Sequence, residues 1–305
     1  MSAQVWVVGA GKGGVGKTFI SSSLGITLAK LNNKVLLIDF DISGANLHTT
    51  FGLSLNEKNL RLFFEEGKNL ADLAQETEIP KLSYVQGFWD YWSNGVIHQE
   101  LVKNLFEQAE KVNYDYVIFD LGAGPLPAHL ELFKIAHEKI LIANAEPTSL
   151  EKTYRFIESF ICHKLKDYMT KDCQKTLQVL LREYRKTNHN GCFSFRDFLK
   201  AENGVSVDHF DLLNEKPLKL LMNGCRSNLD KDLGFSIKSV CKKYYDLNIE
   251  FIGSVDFDNA VWQSVRNREP VLIEKPFTPL AGQFLSITKD LITPEIHANL
   301  FKEVV

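Results

Sequence analysis

Residues 11–18 read GKGGVGKT, which fits the phosphate-loop pattern G-x-x-x-x-G-K-[ST] and carries one lysine more than the pattern needs. In such a loop the backbone N–H groups of Gly13, Gly14, Val15, Gly16, Lys17 and Thr18 surround the phosphates. Lys17 reaches the β- and γ-phosphates, and the Thr18 hydroxyl takes a place on Mg²⁺. Gly11 opens the pattern and Phe19 follows it. Lys12 has no duty in this scheme, and taken alone it reads as a solvated surface charge. Two apolar runs, KVLLID and YDYVIFD, end in Asp39 and Asp120. A carboxylate there commonly holds Mg²⁺, directly or through water; a turn or a helix cap is the structural alternative. Asp41, two residues past Asp39 in DFDISGANLH, is the candidate to orient an attacking water, against the alternative of a loop carboxylate at the surface.

These groups can meet only if the chain brings them to one edge of a sheet. QVWVVGA before the loop is a short β-branched run, and KTFISSSLGITLAKL after it has apolar residues at helical spacing, giving strand, loop and helix in order. Further apolar runs follow at 34–39, 114–120, 139–145, 218–223 and 249–255, most of them separated by helical stretches. Continuous runs of this kind suit strands buried on both faces. The expectation is an α/β chain with the phosphate-loop NTPase fold: a mainly parallel, twisted sheet with helices on both faces. Ligands of such sheets bind beyond the carboxyl ends of the strands, where Asp39 and Asp120 stand. DLGAGP, after the second of these strands, has two glycines that would let the backbone rearrange around a γ-phosphate.

With 45% hydrophobic and 24% charged residues the 305-residue chain is neither disordered nor fibrous. No apolar run is long enough for a membrane span, and the N-terminus lacks a signal sequence, which predicts a cytoplasmic protein. Five cysteines with no C-x-x-C pair speak against a disulfide framework or a zinc site. A net charge of −3 gives no global reason to expect nucleic acid.

KGGVGKT, LIDFDISGANL, VIFDLGAG, AEPTSLEKTYRFI and IGSVDFDNAVWQSVRNREPVL occur in this order, and together they resemble the MinD/ParA family of deviant phosphate-loop ATPases, most nearly its MinD and FlhG-like members. The resemblance covers most of the chain outside roughly 162–216. It implies ATP and ADP as ligands with Mg²⁺, an ATP-dependent homodimer, and a role for Lys12 as the signature lysine that reaches the partner subunit's phosphates. It makes Lys12, Lys17 and Asp41 the catalytic set, Thr18, Asp39 and Asp120 the metal side, and Asn223 the adenine contact, the alternative for Asn223 being a strand-end turn former. Phe19 departs from the family by replacing a hydroxyl residue, so only its backbone N–H can serve the α-phosphate. SVDFD at 254–258 lacks the family's usual proline.

The resemblance implies an ATPase that acts as a timer: slow, partner-stimulated hydrolysis in a nucleotide-switched regulator of spatial positioning. The cell pole, a flagellum and the division site are the places such a protein organises, and the inner membrane is a surface it can meet. Other readings of the same fold are a ParA-like partition ATPase binding DNA, a metal-cluster carrier, and an ATP-dependent small-molecule enzyme. The carrier needs a cysteine motif that is absent. The partition ATPase needs a basic DNA face, testable by salt-dependent binding. PEIHANLFKEVV at 294–305 could form a short helix with Ile296, Leu300 and Phe301 on one side, but lacks the Lys/Arg-rich face of a membrane anchor.

A single domain over 1–305 is expected, with a helical insertion at about 162–216. Tyr154, Ile157, Ile161, Leu165 and Tyr168 recur at helical spacing, CQKTLQVLLREYRK gives a second helix, and Phe193, Phe195, Phe198 and Leu199 crowd one short stretch. Between 151 and 200, eleven Lys/Arg face six Asp/Glu. The two readings are a helical subdomain packing its aromatics internally, and a basic, aromatic docking surface for an acidic activator or cargo protein, with phospholipid as the other ligand such a face suits.

Overall fold

A computed structural model of the chain describes residues 2–41, 44–88, 97–186, 193–201 and 209–292. Strand β1 (Gln4–Ala10) runs through the middle of the sheet and delivers the glycine loop to helix α1 (Lys17–Lys30). Every residue from Val5 to Ala10 is buried, and period-two alternation divides them between two cores. Val5 and Val7 join one face with α5 (Gln99–Lys111), α6 (Pro127–Ile135) and α7 (Pro147–Leu165), while Trp6, Val8 and Ala10 join the other with α1 and α14 (Pro279–Ile292). Strand β2 (Val35–Phe40) divides in the same way, with Leu36, Ile38 and Phe40 on the first face and Val35 and Leu37 on the second.

The remaining strands are β3 (Gln75–Glu76), β4 (Leu82–Val85), β5 (Tyr116–Ala123), β6 (Glu138–Ala143), β7 (Leu218–Cys225) and β8 (Ile249–Asp256). The eight lie in the order β3-β4-β2-β5-β1-β6-β7-β8, parallel except for β3 against β4. Chain direction across the sheet reverses at β1, whose neighbours are β5 and β6, so a crevice opens above its carboxyl end. Short helices α2 (Leu47–Thr50), α3 (Leu60–Glu66) and α4 (Leu70–Leu73) fill the connection from β2 to β3. The six strands expected from apolar runs are present. Strands β3 and β4 were not expected: the four residues LSYV carry too short an apolar pattern to be read, and pairing along β2 is what makes them a strand.

Among the described residues, a 3₁₀ turn (Lys166–Tyr168) and the helices α8 (Lys171–Lys186), α9 (Phe195–Ala201) and α10 (His209–Asn214) lie between α7 and β7. Ile157, Ile161 and Leu165 of α7 are buried, as helical spacing predicts, with Tyr154 and Tyr168 half-buried. For the aromatic stretch the packing reading holds, and it leaves only the basic side chains for docking. Phe195 is fully buried with its ring 5.6 Å from that of Tyr245, Phe193 packs on Phe195 at 5.1 Å, and Phe198 and Leu199 are buried. These rings close a core, and an apolar side chain taken out of water this way is unavailable to a partner. The basic side chains Lys171, Lys175, Arg182 and Lys186 of α8 are exposed. Helices α11 (Asn228–Val240), α12 (Asn259–Asn267) and α13 (Val271–Glu274) complete the chain's description. Among the described residues four cysteines are free thiols, and no helix is long and apolar enough to cross a membrane. The segment 294–305 lies outside the described residues.

Candidate nucleotide site

The loop at 11–16 is held open from behind. Gly14 and Gly16 have φ of +79° and +93°, which only glycine adopts readily, and Gly16 caps α1 so that the first-turn N–H groups face the crevice. Asn223 donates from Nδ2 to the Val15 carbonyl at 2.8 Å, and a Cβ on Gly16 would lie 2.2 Å from that nitrogen. Asn223, expected at the adenine, thus braces the loop from the end of β7. At Gly11 a Cβ would lie 2.1 Å from the Lys152 carbonyl oxygen, so the backbone of α7 rests directly on the loop. Lys17 is buried.

Asp39 and Asp120 are register partners across β2 and β5, and both are buried. Ser21 donates its hydroxyl to Asp120 at 2.9 Å. The Thr18 hydroxyl lies within reach of Asp120 and 3.2 Å from Asn46 Oδ1. Asp39 uses both oxygens on backbone N–H groups, those of Asp41 at 3.2 Å and Leu47 at 2.9 Å, and so folds the loop that carries Asp41. Burial, followed by the neighbouring Asp120, pushes the Asp39 carboxyl up to about 7. Burial also raises Asp120, to about 6, against the pull of Thr18, Lys17 and Ser21. Two carboxyls buried side by side are costly to ionise together, and a cation between them would remove that cost. Their hard oxygens, with the Thr18 hydroxyl, suit Mg²⁺. Among the described residues no cluster of three or more His, Cys, Asp or Glu could hold a metal by itself. Mg²⁺ here would therefore complete its shell with phosphate and water.

A pH dependence follows. Both carboxyls bind protons more tightly folded than unfolded, so their stabilising contribution is complete below about pH 4 and is lost as pH rises through about 6–7. Thermal unfolding of metal-free protein should show this decline, and Asp120→Asn should flatten it. A decline of the same size in Asp120→Asn would assign it to other groups.

Two clefts meet at the loop. One, of about 650 Å³, is lined by Gly13, Gly14, Gly16, Lys17, Thr18 and Asp41 among others. The other, of about 610 Å³, shares Gly14, Gly16 and Phe19 and continues to Asn223, Arg226 and Phe257. The first suits phosphates and water. The second suits a base and sugar, with the Arg226 guanidinium 4.0 Å over the Phe257 ring. Phe19 packs edge-on against Phe284 at 5.4 Å between ring centroids. Lys12 is held within its own chain, its Nζ 2.5 Å from Glu146 Oε2 and 3.0 Å from Thr148 Oγ1. Sequence reasoning missed Ser21, Asn46, Glu146, Arg226 and Phe257. A serine one helical turn after Lys17 could have been found from spacing, whereas nothing local marks Arg226 or Glu146.

Residues 6–271 match the CobQ/CobB/MinD/ParA nucleotide binding domain family. The chain belongs to that family of phosphate-loop proteins. Among its relatives, the septum site-determining protein MinD of Synechocystis is 32% identical over 161 residues, which cover 50% of this chain and 58% of that protein. A putative MinD of Emiliania huxleyi is 32% identical over 51% of this chain and 57% of its own length. The chain thus spans less than two thirds of the length of these MinD relatives. The antiactivator FleN of Pseudomonas aeruginosa is 29% identical over 302 residues, 97% of this chain and 89% of FleN. The fold matches MinD of Pyrococcus horikoshii, solved with Mg-ADP, at a TM-score of 0.61 and 18% identity over 95% of this chain and 96% of that one.

Proposed function

We propose that this chain is an ATP-hydrolysing, nucleotide-switched dimeric regulator of spatial positioning, of the MinD and FlhG-like kind. The observation that carries the reading is a two-lysine phosphate loop at a helix N-terminus, with Asp41 lining the same cleft and buried Asp120 beside Thr18. The loop N–H groups and Lys17 bind the phosphates, and Asp41 orients the attacking water. Mg²⁺ held by Thr18 and Asp120 would neutralise charge on the β- and γ-oxygens. Lys12 leaves Glu146 and Thr148 to meet the partner subunit's phosphates, so ATP closes the dimer and slow hydrolysis, stimulated by a protein activator, reopens it. The names of the relatives, septum site-determining and antiactivator, support an output of position rather than of chemistry. FleN supports it over nearly the whole chain. The site of action is the cytoplasm, at a pole or the inner-membrane surface.

Light scattering tests the switch. Wild type should dimerise with ATP and Mg²⁺ but not with ADP, and Lys12→Ala should remain monomeric with either. Equal dimerisation of Lys12→Ala would return Lys12 to the status of a surface charge.

The exposed basic side of α8 is the proposed contact for an acidic activator or cargo protein. Reversing Lys171, Lys175, Arg182 and Lys186 to Glu, which leaves the packed rings in place, should spare ATP binding and basal hydrolysis and abolish localisation. Normal localisation of the charge-reversed protein would move the partner surface to the helices nearer the phosphates.

A further inference from the structure

Nucleotide binding leaves one side chain behind the cleft unaccounted for. His129 stands in the first turn of α6, buried, with Nδ1 3.1 Å from the Gly124 carbonyl oxygen. A carbonyl only accepts, so Nδ1 carries the proton, and the neutral ring presents Nε2 as an acceptor. Burial holds the imidazole below its ordinary pKa, with the Lys17 charge adding to it and the Gly124 carbonyl and the Asp41 charge opposing it; the Phe40 carbonyl lies near the ring but makes no hydrogen bond of normal geometry with it. Nε2 is itself buried and has no hydrogen-bond partner among the described residues. An unmatched buried polar atom persists in a fold when another state of the molecule gives it a partner, or when the site needs the strain.

Gly122 shows what the ring lies against. A Cβ added there would be 2.8 Å from Asp41 Oδ1 and 2.9 Å from His129 Cε1, so carboxylate and imidazole close on one point that only a glycine leaves free. The ring also meets Phe40 edge-on, with centroids 6.0 Å apart. The imidazole therefore touches both segments that must answer to a γ-phosphate: the 122–124 turn after β5, and the end of β2 that carries Asp41. Both are loop backbone at a switch point, the kind of element that a terminal phosphate reorders.

We propose that His129 is a positioning residue for Asp41: it carries movement of the Gly122–Gly124 turn to the hydrolytic carboxylate, and its Nε2 gains a hydrogen-bond partner only when ATP closes that turn. This rests on the ATPase reading of the site and adds to it the link by which hydrolysis senses the nucleotide. Gly124 has φ +84°, so the turn can move without the steric barrier another residue would impose there.

The first test needs no substitution. In ¹⁵N spectra of the histidine rings of wild-type protein, the His129 Nε2 resonance should shift from a bare acceptor to a hydrogen-bonded nitrogen between Mg-ADP and a Mg-bound non-hydrolysable ATP analogue. The second compares His129→Leu, which keeps volume without polar atoms, with His129→Asn, whose amide can still donate to the Gly124 carbonyl. His129→Leu should lower kcat by about 10- to 100-fold, the effect of a slight misplacement of a reacting group. Its KM should stay within about twofold, and His129→Asn should recover part of the loss. An unshifted Nε2 resonance, or a His129→Leu protein with wild-type kcat, overturns the proposal and leaves His129 as packing. A wild type with no ATP turnover at all overturns the ATPase reading instead, together with everything that rests on it.

Discussion

Asp41→Ala binds ATP as well as the wild type, accumulates as the dimer, and turns over roughly 100-fold more slowly or worse, the usual scale for losing a group that positions or accepts a proton. The expectation comes from a separation of duties in the structure. In the proposed site, phosphate binding belongs to the glycine loop and the first turn of α1, which Asn223 and the backbone of α7 brace from behind. Asp41 follows β2, where Asp39 accepts the Leu47 N–H, and it lines the phosphate cleft. Removing its carboxyl leaves the cradle intact and deprives the water of orientation. Nucleotide titration, light scattering and phosphate release together check the result. An Asp41→Ala protein with normal turnover would remove Asp41 from the mechanism, and one that fails to bind ATP would show that the loop after β2 is part of the cradle.

Gly16→Ala fails earlier, at binding. The new methyl would stand 2.2 Å from Asn223 Nδ2, at a residue whose φ is +93°. The clash can be relieved only by expelling the amide that holds the Val15 carbonyl. The left-handed backbone costs a further 1 kcal/mol or so, up to about 3, for any residue with a Cβ. The loop has no alternative shape that keeps its N–H groups converging, so ATP affinity should fall by roughly 100-fold or more, a loss of about 3 kcal/mol. Asn223→Ala in the same chain should recover only part of this, because it removes the clash and leaves the φ penalty. Calorimetric titration with ATP decides it. Near-normal affinity in Gly16→Ala would mean that the loop rebuilds itself and that Asn223 is no brace.

The parts of this molecule legible from sequence are those encoded by contiguous residues. The glycine loop announces itself because its glycines, lysine and threonine act through neighbouring backbone, and buried parallel strands announce themselves because both faces must be apolar. Strand β4 escaped because four residues exist as a strand only through their register on β2. Asn223 was marked by its strand end, yet the bond it makes is to a carbonyl 208 positions away. Glu146, Arg226 and His129 are ordinary residues in the chain, and folding alone gives them neighbours. The phenylalanines of the 193–199 stretch left two readings open for the reverse reason: density of aromatics along the chain does not say which way they face, and here they face Tyr245 and one another.

Gly11 carries a consequence for reach. Because the carbonyl of Lys152 occupies the place of its missing side chain, the near end of α7 registers any adjustment of the phosphate loop by steric contact. Helix α7 is 19 residues long, roughly 28 Å at the rise of an α-helix, and a 3₁₀ turn at Lys166–Tyr168 joins its far end to the start of α8 at Lys171. A rod of that length turns a small tilt at the nucleotide into a displacement several times larger at its far end. The chain thus has a steric route from the glycine loop to the start of α8, where exposed Lys171 and Lys175 stand.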